Sequence, residues 1–364
     1  MDMNGTECSE FSCEVVRVVE VLPHPNAERL KIIKIAGRDG PMAFTLVSGD
    51  EYSPGDLTVF VGVDSLVPVA APEWEYCTKR LDYKTGASHY RIRRAKLRGV
   101  QTDGVLVRMA LSSDRLGDIV AERLGVLKYE TAAELHHKKI EAGQKEKYFK
   151  PNNKWKRLIP DYTVLNLRKV SNLFSEGEPV EITEKIHGSN IRFGRVGSRL
   201  YVASHHVIKS DMRNLWQRLW ARVFRRVSST NHWYSSDIWS DWVNQNVNWK
   251  GLPSGVVFYG EIFGGNIQGS FNYGFEDHQV RIFDIWDIKT AGYFDYVTRY
   301  NICADHGLNH VPRFVTNFNW DEMVAEANRP SEFTDAHVKE GVVVKSLDGV
   351  RRGKYVSDKY KAVI

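Results

Sequence analysis

Lys185 is the residue whose type and position could do chemistry. It lies on a tight turn between two runs, 180–183 and 191–193, in which apolar and polar residues alternate. Such runs predict β-strands, and a glycine-containing turn between them predicts a β-hairpin. Gly188 lets that turn bend or approach a ligand closely. A lysine amine attacks only when it is uncharged, which burial or nearby cations bring about. Because the turn alone is more typical of a solvated surface lysine, the residues downstream must decide.

Further segments downstream, the first two of them apolar runs, carry acidic, aromatic or basic residues at or near their ends. In chain order they are 255–261 ending in Glu261, 281–287 with Phe283 beside Asp284, 340–345 from Glu340 to Lys345, and 354–360 beginning with Lys354. The order of these runs, more than any one of them, changes the interpretation of Lys185.

This ordered set resembles the covalent lysyl-nucleotidyltransferases, which include ATP-dependent RNA and DNA ligases and mRNA capping enzymes. Within that superfamily it is most similar to the RNA ligase 2 type. The first motif, residues 184–190, reads Glu-Lys-Ile-His-Gly-Ser-Asn and has the histidine of that type where DNA ligases more often have aspartate. The third motif runs from Glu261 to Gln268, with the glutamine at the family's spacing. Five ordered motifs between Thr183 and Tyr360 are a specific signal.

The resemblance implies three successive transfers. Lys185 attacks the α-phosphate of ATP, which gives lysyl-AMP and pyrophosphate. The AMP moves to the 5′-phosphate end of an RNA, and a 3′-OH then attacks that end and releases AMP. His187 and Gln268 match positions that serve the ligation chemistry, and Asp284 is expected to support the residues that touch the nucleotide. Catalysis of such transfers depends on positioning and on charge neutralisation.

The cofactors that the resemblance implies are ATP, as a substrate, and Mg²⁺ or Mn²⁺. Glu261 and Glu340 are the candidates to hold the metal, directly or through waters, since hard cations prefer oxygen ligands. Lys345 and Lys354 are expected to hold the phosphates of the nucleotide.

The resemblance also implies how the nucleoside is recognised. Phe283 is expected to stack on adenine, and Glu184 to meet the exocyclic amine of the base. Asn190 matches the motif residue near the ribose and the metal-bound waters.

Two motifs depart from the family pattern. The last motif usually reads Lys-x-Lys, but residues 354–356 read Lys-Tyr-Val, and Lys359 is a candidate to compensate. The second motif usually contains an arginine for the incoming 5′-phosphate, where residues 204–206 read Ser-His-His. Lys209 and Arg213 are both candidates to replace that arginine.

Short strands and turns fill the N-terminal part of the chain. Strands are predicted over 13–22, 30–37, 44–49 and 57–63, with Pro23 ending the first. Short strands at regular spacing with little helix favour a small β-barrel. The strings at 21–30, 46–50 and 52–57 resemble OB-fold modules of tRNA-binding proteins, and 96–106 resembles the barrel-closing segment found ahead of some RNA ligase cores.

We therefore expect an α+β protein in three parts. An OB-fold nucleic-acid-binding domain over 1–125 and a basic linker over 126–158 precede an adenylyltransferase domain over 159–364, built of antiparallel sheets flanked by helices. The chain ends four residues past Tyr360, and no helical domain is expected after the last motif. This layout is that of a subgroup of nick-sealing RNA ligases. A length of 364 residues with 42% hydrophobic content suits more than one core.

Basic residues concentrate late in the N-terminal part. Arg91 and Arg93 alternate with Tyr90 and Ile92, so one strand face is predicted to present arginines, together with Arg98, to phosphates. A solvated strand face is the alternative. The expected partner is RNA, as a nicked or broken duplex or an RNA/DNA hybrid, and the net charge of +5 agrees with an anionic partner.

A tryptophan-rich segment over 209–249 holds six of the ten tryptophans. Over 213–226 the spacing of apolar residues predicts an amphipathic helix, whose tryptophans pack in the core and whose arginines could flank nucleic acid. His205 and His206 are adjacent, so on a strand they would point to opposite faces, and a joint metal site is not expected.

The composition limits the cellular compartments and membrane associations that we expect for the protein. The chain has no apolar run of about 18 residues, and its first residues do not lead us to expect a signal peptide. Its four cysteines form no CxxC pair. We expect a monomer without a membrane partner in a reducing intracellular compartment, cytoplasmic or nuclear.

Two other function classes stay open. A capping guanylyltransferase would share the Lys185 chemistry but use GTP, although domain order and the histidine in the first motif argue against it. A non-catalytic RNA-binding adaptor would carry a decayed core. The intact Lys185, Glu261, Glu340 and Lys354 argue against decay, while Val356 argues mildly for it.

Overall fold

The computed structural model describes residues 11–74, 88–129, 158–205, 208–209, 237–265, 267 and 272–363. The chain divides into two compact units. The first comprises Met1–His136 with Val164–Phe174, and the second comprises His137–Thr163 with Ser175–Ile364. The first unit thus includes a short segment that the sequence assigns to the adenylyltransferase domain. Parts of the predicted basic linker (130–157) and the predicted helix over 213–226 lie outside the described residues.

The first unit is built of short strands. They are β1 (Cys13–His24), β2 (Ala27–Gly37), β3 (Gly40–Ser48), β4 (Leu57–Gly62), β5 (Ser65–Pro68), β6 (His89–Arg91), β7 (Ala95–Leu97), β8 (Val100–Thr102), β9 (Gly104–Val107), β10 (Leu127–Lys128) and β11 (Leu165–Asn166). Five of them form an antiparallel sheet in the order β3-β2-β1-β4-β9. Strand β1 buries side chains on both faces, Val15 in one hydrophobic cluster and Val16 in another.

The four strands predicted for this unit are confirmed, but Pro23 does not end the first one. Strand β1 continues to His24, and its pairing with β2 shifts register between Pro23 and His24. A register shift tolerates proline because no ladder hydrogen bond from its nitrogen is required there. The chain turns at the next residues, where the Asn26 amide donates to His24 Nδ1 at 3.0 Å.

The second unit contains two antiparallel sheets. Its strands are β12 (Pro179–Lys185), β13 (Ser189–Val196), β14 (Arg199–Ala203), β15 (Val256–Phe263), β16 (Gln279–Asp287), β17 (Gly292–Tyr293), β18 (Arg313–Asn317), β19 (Gly341–Ser346) and β20 (Arg352–Val356). Within this unit the nucleophile sheet has the order β20-β19-β12-β18, and the carboxylate sheet has the order β14-β13-β15-β16-β17.

The hairpin predicted around Lys185 is wrong. Strand β12 pairs with β18 and β19, whereas β13 pairs with β14 and β15. The turn therefore carries the chain from the nucleophile sheet to the carboxylate sheet. Alternation of apolar and polar residues fixes which face of a strand is buried, but it does not choose the partner strand.

Four helices complete the described parts of the second unit: α1 (Ile238–Asn246), α2 (Tyr296–Asp305), α3 (Trp320–Ala327) and α4 (Asp358–Val363). The first three begin at Asp237, Asp295 and Asn319, whose side-chain oxygens accept backbone N–H groups that have no partner inside the helix. Val243 of α1 and Cys303 of α2 lie in the hydrophobic core on one face of the carboxylate sheet. No helix in the described ranges is long and apolar enough to cross a membrane.

Candidate active site

Lys185 ends β12, and its ammonium forms an ion pair with Glu340. The distance from Lys185 Nζ to Glu340 Oε1 is 2.6 Å, with the side chains 24% and 13% exposed. Strand register brings the two together, because Lys185 lies opposite Gly341 on β19 and Glu340 immediately precedes Gly341. The pair is sheltered yet accessible, as a nucleophile must be.

His187 follows in the turn between the sheets and is held by two tyrosines. Its backbone amide donates to the Tyr273 hydroxyl at 2.7 Å, and its ring Nδ1 lies 2.8 Å from the Tyr360 hydroxyl. Nδ1 is also 3.9 Å from Glu340 Oε2. Burial lowers the pKa of His187, against the opposing effect of Glu340. The ring is therefore neutral at pH 7, and an Nδ1 that accepts from Tyr360 leaves the ring proton on Nε2.

Gly188 permits a close approach between the turn and β15. A Cβ on Gly188 would lie 2.5 Å from Ile262 O and 2.8 Å from Glu261 Cγ. Only glycine fits such a contact with backbone. Glu261 is consequently brought beside the lysine and its ion-pair partner, although it belongs to the other sheet.

Glu261 and Asn190 supply oxygen atoms on one face of the carboxylate sheet, since they are paired directly across β13 and β15. Burial raises the pKa of Glu261 to about 8, against the attraction of Lys185, and Glu340 raises it further. Asn190 Oδ1 is buried and accepts no hydrogen bond in the described part of the chain. A partly buried carboxyl group and an amide oxygen that has no partner among the described residues are the donor types that a hard divalent cation prefers.

The described residues contain no group of three His, Cys, Asp or Glu side chains arranged to hold a metal by themselves. An ion at Glu261 and Glu340 would thus draw most of its ligands from phosphate and water, which is the usual binding mode of Mg²⁺. The donor set fits that mode.

Phe283 and Asp284 lie on β16, at the irregularity in its pairing with β15. The Phe283 ring packs against Tyr162 with centroids 4.7 Å apart. The Lys345 ammonium donates to Phe283 O and lies 3.5 Å from Asp284 Oδ2. Burial lowers the pKa of Lys345 to about 8, against the attraction of Asp284. The structure thus shows Lys345 bound to the strand that carries Phe283, whereas the sequence predicts that Lys345 contacts a phosphate.

A buried network around Asp284 escaped the sequence analysis. Arg299 of α2 donates to Glu181 and approaches Asp284 at 3.3 Å. Tyr162 OH donates to Asp284 Oδ2 at 2.8 Å. Although burial opposes it, Lys345 and Arg299 hold the pKa of Asp284 below its ordinary value. The sequence signal for this network was Glu181. It is a polar residue four positions before Lys185, so it lies on the same inward face of the strand.

Glu184 points away from Lys185, as alternation requires. Its carboxylate accepts the Ser331 hydroxyl at 2.6 Å and the Glu332 amide at 2.9 Å. Burial raises the pKa of Glu184, against the effect of the Ser331 hydrogen bond. The carboxylate predicted to meet adenine is therefore bound by the segment after α3.

The last motif lies on β20, two strands from the nucleophile. Lys354 is half-buried opposite Val343, and Val356 lies opposite Gly341, which itself faces Lys185. Val356, at the position where the family has its second lysine, is therefore in the same cross-strand row as Lys185 and carries no charge. Gln268, predicted to serve ligation, lies outside the described residues.

The predicted row of arginines in the first unit is not a strand face. Strand β6 ends at Arg91, whose guanidinium binds Asp64 at 2.7 Å and stacks on Tyr129 at 3.6 Å. Arg93 lies beyond the strand and is exposed. Arg98 is exposed in the turn between β7 and β8 with φ +48°. The three arginines therefore do not share one strand face, and the charge of Arg91 is already paired with that of Asp64.

Solved structures share the fold of this chain. The Naegleria gruberi RNA ligase with PPi has a TM-score of 0.71 at 21% identity over 98% of this chain and 99% of that chain. A variant of that ligase with ATP and Mn has a TM-score of 0.71 at 20% identity, with the same coverage. An apo variant has a TM-score of 0.69 at 22% identity over 97% and 98%. No curated protein matches the chain.

Two family models match the sequence. An OB-fold domain model matches residues 13–109, which contain the five-stranded sheet of the first unit. A model described as RNA ligase matches residues 178–361, slightly more than half of the 364 residues. That range contains the Lys185–Glu340 pair and Glu261. The chain therefore belongs to the RNA ligase family, with an OB-fold domain ahead of its ligase domain.

Proposed function

We propose that this protein is an ATP-dependent RNA ligase that joins 3′-OH and 5′-phosphate ends through lysyl-AMP and RNA-adenylate intermediates. The observation that carries the proposal is the sheltered Lys185–Glu340 ion pair at the point where the chain crosses between the two sheets. Solved RNA ligase structures of the same fold hold ATP and Mn in one case and PPi in another. These are the substrate, metal and product of the first step.

The chain's own groups prepare Lys185 for attack. Its amine must lose a proton before it can attack the α-phosphate, and Glu340 Oε1, which accepts a hydrogen bond from Lys185 Nζ at 2.6 Å, is placed to accept that proton. Mg²⁺ or Mn²⁺ held by Glu261 and Glu340, with Asn190 nearby, would neutralise the charge on the phosphate oxygens. Lys354 adds positive charge on the same face of the nucleophile sheet.

In this proposal some residues contact the nucleotide, and others hold those residues in place. Phe283 offers an aromatic face for adenine, and Lys345 and Asp284 hold the backbone and neighbours of Phe283 in place. Glu184 holds the segment after α3 through Ser331. His187, fixed by Tyr360, serves the later steps, in which the RNA ends react.

The RNA partner is expected to be a nicked or broken duplex that offers a 3′-OH beside a 5′-phosphate. In the first unit, Arg93 and Arg98 are exposed and can reach phosphates. Arg91 is the weaker candidate, because its charge is already paired with Asp64. Residues 1–125 are thus proposed as the RNA-binding domain and residues 159–364 as the catalytic domain.

One experiment separates the function classes. The full chain is incubated with α-labelled ATP or α-labelled GTP and Mg²⁺ or Mn²⁺, and protein-bound label is measured on a denaturing gel. We expect ATP to label the wild type and to leave Lys185→Arg unlabelled. Preferential labelling by GTP would move the protein to the capping class, and no labelling by either nucleotide would make it an adaptor.

Sealing is then tested with a nicked RNA duplex and, separately, with a duplex whose 5′ end is already adenylylated. Lys185→Arg is expected to seal the second substrate but not the first, because only the first needs lysyl-AMP. Loss of sealing on both substrates, with the variant folded, would contradict the assigned order of steps.

A further inference from the structure

Arg281 lies in an unusual electrostatic setting on β16. It is paired across the sheet with Glu261, yet its guanidinium turns toward Val280 O, to which Nη1 donates at 3.1 Å. The guanidinium lies over two aromatic rings, 5.7 Å from the Phe263 centroid and 5.4 Å from the Phe333 centroid. Its planar face is therefore held in place, while most of its N–H donors bond to none of the described residues.

No carboxylate pairs with Arg281 among the residues that the structure describes. Two fully buried arginines of this unit are compensated by carboxylates: Arg299 by Glu181 and Asp284, and Arg192 by Asp161 at 3.1 Å. Burial alone lowers the pKa of Arg281. Partial burial of a guanidinium that has no counter-charge among the described residues carries a cost, and an anionic ligand would offset that cost.

Arg281 also borders a cavity of about 170 Å³ at the outer edge of the carboxylate sheet. The polar or aromatic side chains that line it come from α1, from β16 and the residues before it, and from the segment after α2: Trp242, Asn246, His278, Gln279, Arg281 and Asn309. None of the lining residues is acidic, and none belongs to the proposed nucleotide site. The cavity thus combines one uncompensated cation with neutral hydrogen-bonding groups.

We propose that Arg281 and this cavity form a phosphate-binding subsite for the backbone of the RNA substrate, separate from the site that binds ATP. The subsite rests on the proposed function, because it assigns the ligand of an RNA ligase. Guanidinium groups suit phosphodiesters through paired N–H donors, and the two phenyl rings orient the plane of Arg281 for such a contact.

The test compares Arg281→Gln and Arg281→Lys with the wild type, as full chains. Arg329→Gln serves as a control that removes the same charge, from a side chain that is 70% exposed and paired with Glu326. Binding of a nicked RNA duplex is measured over a range of KCl concentrations. Lysyl-AMP formation from ATP alone is measured in parallel.

We expect Arg281→Gln to flatten the dependence of log affinity on log salt by about 0.9, the contribution of one duplex phosphate contact. Arg281→Lys and Arg329→Gln should keep the wild-type slope, and all variants should form lysyl-AMP normally. An unchanged slope in Arg281→Gln would overturn the subsite. Loss of lysyl-AMP with RNA binding intact would place Arg281 in the nucleotide site instead.

Inorganic phosphate distinguishes a free-anion site from an RNA site. If phosphate raises the Tm of the wild type but not of Arg281→Gln, while both bind RNA with the same salt slope, the cavity holds a free anion and the RNA assignment is wrong. If the wild type itself forms no lysyl-AMP, the proposed ligase function fails, but the RNA-binding comparison still decides the subsite.

Discussion

At the residue scale, Glu340 joins the lysine predicted as nucleophile to the histidine predicted to serve ligation. The sequence places these types in order along the chain, but it does not show that one carboxylate contacts Lys185 at 2.6 Å and lies 3.9 Å from His187. Those contacts depend on β12 and β19 being paired in one register. Contacts such as Tyr360 with His187 join positions 173 residues apart and leave no local pattern.

Tyr360→Phe is expected to slow the sealing of a pre-adenylylated RNA nick by up to about tenfold, the worth of one hydrogen bond. Without the hydroxyl, the His187 ring can turn or change tautomer, whereas Lys185 and Glu340 keep their ion pair. Lysyl-AMP formation should therefore change less than sealing. Tyr300→Phe, at a tyrosine that is 49% exposed, is the matched control. Equal rates for wild type and Tyr360→Phe at both steps would contradict the positioning role.

Glu261→Gln is expected to change the pH dependence of stability in metal-free buffer. Burial raises the folded-state pKa of Glu261 to about 8, above its ordinary 4.5. The contribution of the Glu261 carboxyl group to the free energy of unfolding is therefore fully present below pH 4.5 and is lost as the pH rises through 8. The glutamine variant cannot ionise, so its Tm relative to wild type should rise between about pH 5 and pH 9, although it should not form lysyl-AMP.

Glu178→Gln provides the opposite case. The hydrogen bond from Arg351 lowers the pKa of Glu178, so its stabilising effect is present above its ordinary pKa and is lost on acidification. That variant should show no rising Tm difference between about pH 6 and pH 9. A flat Tm difference for Glu261→Gln over the same range would show that the buried carboxyl is not protonated in the folded protein.

At the element scale, alternation predicted the strands well and their partners poorly. The strands that carry Glu261, Phe283 and Lys345 occur where the sequence placed them, since a short apolar run is typical of a buried strand. The hairpin after Lys185 failed because two adjacent strands can enter different sheets with the same local pattern. The predicted arginine row failed because β6 ends at Arg91, so Arg93 lies beyond the strand, and because Asp64 pairs with Arg91.

Gly188→Ala is expected to reduce lysyl-AMP formation at least tenfold. The added Cβ would lie 2.5 Å from Ile262 O, and a backbone atom of a central strand cannot yield without moving the sheet or the turn. Displacement of the turn moves Lys185 and His187 relative to Glu261, and small misplacements are costly in catalysis. The rate of label transfer from ATP measures the effect.

Gly197→Ala is the matched control for that substitution. Gly197 turns the chain between β13 and β14 with φ +62°, and a Cβ added there would meet no atom within 4 Å. It should lose about 1 kcal/mol of stability through backbone strain and keep its activity. Normal activity in Gly188→Ala would mean that the close approach of the two sheets is not needed for the reaction.

At the scale of the whole molecule, the proposed function places the exposed RNA-binding arginines Arg93 and Arg98 in the first unit and the nucleotide chemistry in the second. The motifs from Lys185 to Lys354 all belong to the second unit, while Arg93 and Arg98 belong to the first. The OB fold was predictable because its short strands and turns are local in sequence. The membership of residues 164–174 was not, because it depends on contacts with strands more than a hundred residues earlier.

Charge reversal of Arg93 and Arg98 together is expected to weaken RNA binding and to reduce its salt dependence by up to about 1.8, or about 0.9 for each phosphate that is no longer bound. Lysyl-AMP formation should stay normal, since no nucleotide-site residue is altered. Arg91→Gln should change the salt slope little, because Asp64 already neutralises that arginine. If the double variant binds RNA like the wild type at every salt concentration, the first unit has another task.

Because residues 164–174 belong to the first unit, the two units are not separate in the gene sequence, and this affects how they can recombine. Residues 164–174 join that unit through backbone hydrogen bonds such as Ala43 N to Arg168 O at 2.7 Å, and Leu167 and Phe174 are buried. A single crossover in the basic stretch before this segment could not exchange the OB domain cleanly, since each product would carry residues 164–174 from the other parent. The two units are therefore expected to descend together, and chimeras of related ligases should be joined after residue 174 rather than in the preceding basic stretch.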